Sequence, residues 1–158
     1  MFREMESAET LNPQVFAFFE GEWSLQRSIC GSYAGSFSGS ARFSADPQNP
    51  RCLHYREAGK MNTADGGRFD SSQIYQFHLH HDRIGVLKNE RSEWSAMHDL
   101  NFAAEHGLAV ARHIHLCGAD YYKVEYRVDF SGKFEVGYSV SGPAKDYSIQ
   151  STYSRAVG

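Results

Sequence analysis

The segment Tyr121-Tyr122-Lys123-Val124-Glu125-Tyr126-Arg127-Val128-Asp129-Phe130 decides the fold. Tyr122, Val124, Tyr126, Val128 and Phe130 alternate with Tyr121, Lys123, Glu125, Arg127 and Asp129. Successive side chains of an extended chain point to opposite faces, so this period of two builds a strand with one apolar and one largely charged face. Wound into a helix, the same residues would scatter their charges all round the axis. The apolar face is aromatic and β-branched, which is what a pleated, half-buried surface favours.

The period continues on both sides. Downstream come Phe134, Val136, Tyr138 and Val140, then Tyr147, Ile149, Ser151, Tyr153 and Arg155. Upstream, one face of each segment carries Trp23, Leu25, Arg27 and Ile29; Phe37, Gly39, Ala41 and Phe43; Leu53, Tyr55 and Glu57; and Phe69, Ser71, Gln73, Tyr75 and Phe77. Two shorter segments hold Ile84, Val86 and Lys88, and Trp94, Ala96, His98 and Leu100. Leu108 to Cys117 is two-faced. Leu108, Val110, Arg112, Ile114 and Leu116 alternate with Ala109, Ala111, His113, His115 and Cys117, and either set can point inward.

Turn-forming residues separate the segments, at Asp46-Pro47, Asp65-Gly66-Gly67, His81-Asp82, Gly118, Ser131-Gly132 and Gly142-Pro143. No helical pattern interrupts the series, so parallel strands joined by helical crossovers are excluded. The expected fold is all-β, a single antiparallel up-and-down β-barrel of about ten strands with a short N-terminal helix. Ring closure removes the exposed edges that an open sheet would present. For the helix, Asn12 serves as N-cap and Pro13 as first residue, Val15, Phe16 and Phe19 share a face, and Gly21 ends it. Residues 1–11 read as a flexible N-terminal arm and 12–158 as the barrel domain.

A length of 158 residues fits one domain. Sixteen Lys and Arg against nineteen Asp and Glu leave a net charge of −3, and no basic cluster offers a track for phosphates, so nucleic acid is not an expected partner. The longest apolar stretch, 15–19, is too short to cross a bilayer, and the N-terminus lacks the apolar run of a secretory signal. A soluble, cytoplasmic protein without membrane contact is expected. Cys30, Cys52 and Cys117 then read as free thiols, and without a Cys-x-x-Cys pair no metal site is expected.

The inward faces are not purely apolar. They carry Arg27, Glu57, Gln73, His98, Tyr122, Tyr147, Ser151 and Tyr153, and buried polar groups must pair with one another or meet water or a ligand. Arg27 with Glu57 would make an internal pair; a hydrated pocket would instead use such groups to orient a small molecule. The residues expected at a ligand are Arg27, Glu57, Gln73, His98, His115, Tyr122, Tyr138, Lys145 and Tyr153. His115-x-Cys117 sets an imidazole and a thiol two residues apart on one strand, the spacing of a catalytic pair, although a hydrogen-bonded histidine and a structural thiol fit it more simply. His78, His80 and His81 read as a solvated cluster at a strand end. Gly142-Pro143-Ala144-Lys145-Asp146-Tyr147 is a tight connection whose lysine would guard a barrel mouth.

Gly21-Glu22-Trp23, opening the first strand after a short helix, resembles the Gly-x-Trp start of lipocalins and other calycins. That resemblance implies that Trp23 closes the barrel base and that Arg155 packs over it. Nearly the whole chain is similar to an uncharacterised lipocalin-like (calycin) family, catalogued as a domain of unknown function and DUF6314-like. The pattern runs through Trp23-Ser-Leu25-Gln-Arg27-Ser-Ile29, Gly39-Ser-Ala41-Arg-Phe43, Tyr55-Arg-Glu57-Ala-Gly59 and His98-Asp99-Leu100. It continues through His115-Leu-Cys117-Gly-Ala-Asp120-Tyr-Tyr122, Gly142-Pro143-Ala-Lys145-Asp146-Tyr147 and Tyr153-Ser-Arg155. The chain departs from it at Asn89-Glu90-Arg91 and Met97-His98, where the family has Asp-Gly-Arg before Phe-His. Haem-binding calycins of the nitrobindin type are similar in barrel size, and the likeness implies an iron-ligating histidine near the C-terminal strands. The last histidine here is His115, so haem is disfavoured and no cofactor is expected.

The leading expectation is a small-molecule-binding lipocalin-like barrel, with a small, amphipathic or anionic ligand held inside. One alternative is an enzyme (isomerase, lyase or hydrolase) using His115 or Cys117 with Glu57 or Asp120 as acidic partner. The other is a protein-interaction or dimerisation module, with a homodimer through outer strand faces.

Overall fold

The computed structural model describes residues 2–156, and for residues 2–10 and Cys117 the backbone alone. A helix, α1 (Phe2–Phe19), precedes eleven strands: β1 (Gly21–Gly31), β2 (Gly35–Ala45), β3 (Cys52–Thr63), β4 (Arg68–Leu79), β5 (Ile84–Glu90), β6 (Glu93–Leu100), β7 (Ala103–Glu105), β8 (Leu108–Cys117), β9 (Asp120–Asp129), β10 (Lys133–Ser141) and β11 (Asp146–Arg155). They form one antiparallel sheet in the order β6-β5-β4-β3-β2-β1-β11-β10-β9-β8-β7. This is the expected meander, joined through the β1–β11 ladder that pairs Trp23 with Arg155 and Gly31 with Tyr147. The eleventh strand is β7, three residues long and too short to show a period.

The sheet curls into a barrel, but the ring does not close by hydrogen bonding. Among the described residues no ladder joins β6 to β8. One bond spans the seam, from the Asp99 amide to Nδ1 of His113 at 3.3 Å. Two local features hold the edges apart. A bulge between Val86 and Leu87 leaves Met97 without a partner and bends β6. β7 meanwhile occupies the edge of β8 from Leu108 to Val110. The β5–β6 hairpin turns through Arg91 and Ser92, both at positive φ (54° and 66°), where the chain departs from the family pattern.

The helix begins ten residues before the expected cap. Asn12 lies inside it, and Pro13 with it. The capping capacity of Asn12 is spent elsewhere: its Oδ1 accepts from the Phe102 amide at 2.7 Å and its Nδ2 donates to Asn101 Oδ1 at 3.1 Å. These bonds tie the helix to the β6–β7 connection.

Val15, Phe16 and Phe19 are buried. Phe19 plugs the barrel, its ring stacked 5.0 Å from Phe43 and edge-on to Phe77 and Phe102. Burying one such side chain contributes roughly 2–3 kcal/mol. Beside it, Trp23 Nε1 donates to the Phe19 carbonyl at 2.9 Å. The Arg155 guanidinium lies 3.9 Å over the Trp23 ring and donates to the carbonyls of Glu20 and Phe18. Gly21 is required here on two counts: its φ is +124°, and a Cβ would come within 2.9 Å of the Arg155 guanidinium. Among the described residues, no helix is long and apolar enough to cross a membrane.

Candidate functional site

Above the aromatic plug lies a polar girdle. Arg27 on β1 reaches across β2 to Glu57 on β3 and grips both carboxylate oxygens, at 2.7 and 3.0 Å. Its Nε donates to Ser151 Oγ at 2.8 Å. The Tyr55 hydroxyl donates to Glu57 at 2.6 Å and lies 2.8 Å from the Tyr153 hydroxyl. Glu57 is 1% exposed. Burial would lower the affinity of Arg27 for its proton, but the Glu57 carboxylate reverses this and holds the guanidinium charged. Burial also pushes the Tyr55 and Tyr153 hydroxyls above the ordinary range. The girdle directs its charges at one another. Tyr55, which completes it, was legible as an inward residue but not as a partner of Glu57.

The cavity lies to one side, at the seam. It measures about 420 Å³ and is lined chiefly by Lys88 of β5, His98 of β6, His113 and His115 of β8, Tyr122 of β9 and Tyr138 of β10. The bulge borders this space: Ala96, Met97 and His98 of β6 line it. On β8 the ambiguity of faces resolves: Ala109 and Ala111 are buried, while Ile114 and Leu116 are exposed. Small side chains suit the inner face because Phe102 and Tyr126 fill the space beside them, with ring centroids 6.2 Å apart. His113 and His115 continue that face into the cavity.

His98 is 8% exposed; its Nδ1 is shut off from solvent and makes no well-formed hydrogen bond among the described residues, with the Met97 backbone beside the ring. Burial, helped by the nearby His113, pushes its pKa down to about 4, so the ring is neutral at pH 7. It lies 5.6 Å from the His113 ring and 6.1 Å from Tyr138. Tyr122 stands 6.2 Å from Tyr138 and 5.9 Å from His115. Lys145 Nζ donates to the Tyr122 hydroxyl at 3.3 Å and lies 3.7 Å from the Asp120 carboxylate. Lys88 is likewise balanced, by Glu90 at 3.0 Å. The cavity thus offers aromatic walls, three imidazoles and one cation, Lys88, already near a carboxylate.

Of the residues expected at a ligand, the structure brings His98, His115, Tyr122 and Tyr138 to this cavity, while Lys145 reaches it only through its hydrogen bond to Tyr122. Arg27, Glu57 and Tyr153 belong to the girdle. Gln73 is exposed on the β3–β4 hairpin, although its register matches the inner face. β5 pairs with β4 only from Tyr75 to Leu79, so Gln73 lies where β4 has no outer neighbour among the described residues. His113 and Lys88 were missed as cavity residues, although each shares a face with a residue already singled out. His115 is exposed and makes no hydrogen bond among the described residues. The Cys117 side chain lies outside them, and its backbone pairs with Asp120.

Residues 19–155 match the model of a family of unknown function, DUF6314. No curated protein matches the sequence. Among solved structures, Rv2717c from M. tuberculosis is similar, with a TM-score of 0.66 at 10% identity, over 92% of this chain and 98% of that one. The S-type phycobiliprotein lyase CPES from Guillardia theta is also similar, with a TM-score of 0.60 at 9% identity, over 95% of this chain and 98% of the lyase. At such identities the likeness is one of fold.

Proposed function

The chain belongs to the DUF6314 family, whose function is unknown, and we propose that it is a barrel that binds a small amphipathic molecule in the seam cavity. The observation that carries this reading is the cavity of about 420 Å³ at the open seam, walled by Tyr122, Tyr138 and the neutral imidazole of His98. Neutral imidazole offers a donor and an acceptor, so the polar or anionic head of the guest sits at His98. Its flat or apolar body lies between Tyr122 and Tyr138. The girdle takes no part, since Arg27 and Glu57 are spent on each other. A barrel of this shape serves as a phycobiliprotein lyase in Guillardia theta, which supports binding of a small guest by the fold without naming the guest here.

Anilinonaphthalene sulfonate, a planar amphipathic anion that fluoresces on leaving water, tests the reading. Saturable binding at one site per chain is expected. His98→Ala weakens it about tenfold, the loss of one good hydrogen bond, and His113→Trp, which fills the opening, abolishes it. Circular dichroism confirms that both variants fold. Absence of saturable binding, or binding indifferent to both substitutions, overturns the proposal.

A further inference from the structure

A second cluster stands on the outer wall, away from the cavity. β3 opens with Cys52 and His54, two residues apart on its outward face, while Leu53 between them points into the core. β4 sets His78 directly opposite Cys52, with Nε2 3.8 Å from the thiol sulfur. The turn after β2 supplies Asp46. Its Oδ1 accepts from the amides of Gln48 and Asn49, and its Oδ2 faces His54 Nε2 at 2.7 Å. One ligating atom each from Asp46, Cys52 and His54 lies within 4.8 Å of the others. Cys52 is a free cysteine and only 4% exposed.

We propose that Asp46, Cys52, His54 and His78 form a zinc site on the outer face of β3 and β4. Zinc takes sulfur, nitrogen and oxygen ligands at about 2.0–2.3 Å in a tetrahedron, which sets neighbouring ligand atoms roughly 3.3–3.8 Å apart. The Asp46–His54 and Cys52–His78 separations of 2.7 and 3.8 Å bracket that range, and His78, which stands outside the group of three whose atoms lie within 4.8 Å of one another, swings in to complete the shell. His78 Nε2, now 2.9 Å from Gln76 Oε1, turns from that amide toward the metal. A thiolate among imidazoles and a carboxylate selects zinc over magnesium or calcium, which prefer oxygen alone. On binding, the Cys52 sulfur forms the metal bond and its proton passes to solvent, as does any proton on the two imidazoles. Four protein ligands leave no open position, so the ion is structural. It clamps the β2–β3 turn to β4.

Cobalt(II) replaces zinc and reports a thiolate ligand by a charge-transfer band in the near ultraviolet. Metal-free protein, prepared by dialysis against a chelator, is titrated with cobalt(II), then with zinc(II) in competition. One cobalt ion is expected per chain, with the thiolate band, displaced by zinc; zinc also raises the melting temperature. Cys52→Ser abolishes the band, and His54→Ala or His78→Ala weakens zinc at least about tenfold, since even losing an outer-shell contact costs that much. The cavity variant His98→Ala leaves all of this unchanged. A titration without a thiolate band overturns the proposal, as does metal retained in Cys52→Ser but lost in His98→Ala.

Discussion

Glu57 and His98 are both buried polar residues, and they face opposite situations. Glu57 has Arg27 on both oxygens and Tyr55 as a further donor. Glu57→Ala strands a guanidinium in the interior and is expected to cost about 3–5 kcal/mol in urea denaturation. The double replacement Arg27→Met with Glu57→Leu, which removes both charges, is expected to cost much less. His98 is neutral in the fold, with a pKa of about 4 against 6.5 for the free side chain. Between about pH 6.5 and 4 the unfolded chain therefore binds a proton that the folded chain refuses, and stability falls as the pH drops. His98 accounts for about 3 kcal/mol of that loss, a contribution complete near pH 4 and read as the difference between the unaltered chain and His98→Phe in denaturation across that range. At this scale the sequence is informative about identity. Arg27, Glu57 and His98 are all legible as inward residues. The Arg27–Glu57 pair is legible too and is observed, whereas the part Ser151 and Tyr153 play beside it is not, because they stand on a strand remote in sequence.

The helix shows what periodicity reads well and what it does not. Val15, Phe16 and Phe19 sharing a buried face follows from spacing alone. The start of the helix does not, since Asn12 carries a capping side chain that tertiary structure uses on Phe102 instead. Because Phe19 is the plug around which Phe43, Phe77 and Phe134 pack, Phe19→Ala is expected to destabilise the protein by about 3–5 kcal/mol, measured by thermal or chemical denaturation. Strands with a clean alternation, such as β9 and β1, are legible throughout. β7 and the bulge opposite Val86 are not, since three residues show no period and a bulge is a displacement of one residue that composition does not mark. The Asp46–Cys52–His54–His78 cluster was hidden for a related reason. Its ligands come from a turn and two strands rather than from one short motif.

For the whole molecule, the meander was legible and the closure was not. Strand order follows from short turns between successive strands, whereas the meeting of the first and last edges depends on summed twist, the bulge and the edge taken by β7. The seam should be the first part of the sheet to open. Hydrogen exchange is expected to be fastest along β6 and the upper half of β8, and slowest in β1 and β11. Saturating anilinonaphthalene sulfonate should slow exchange at the seam and leave β1 and β11 unchanged. Entry through the wall, between β6 and β8, also relieves the guest of any requirement to be swallowed whole. A long tail can trail into water while the head rests at His98, so selectivity falls on the head and the body. Homologues of one compound that differ only in tail length would then be nearly indistinguishable to this protein.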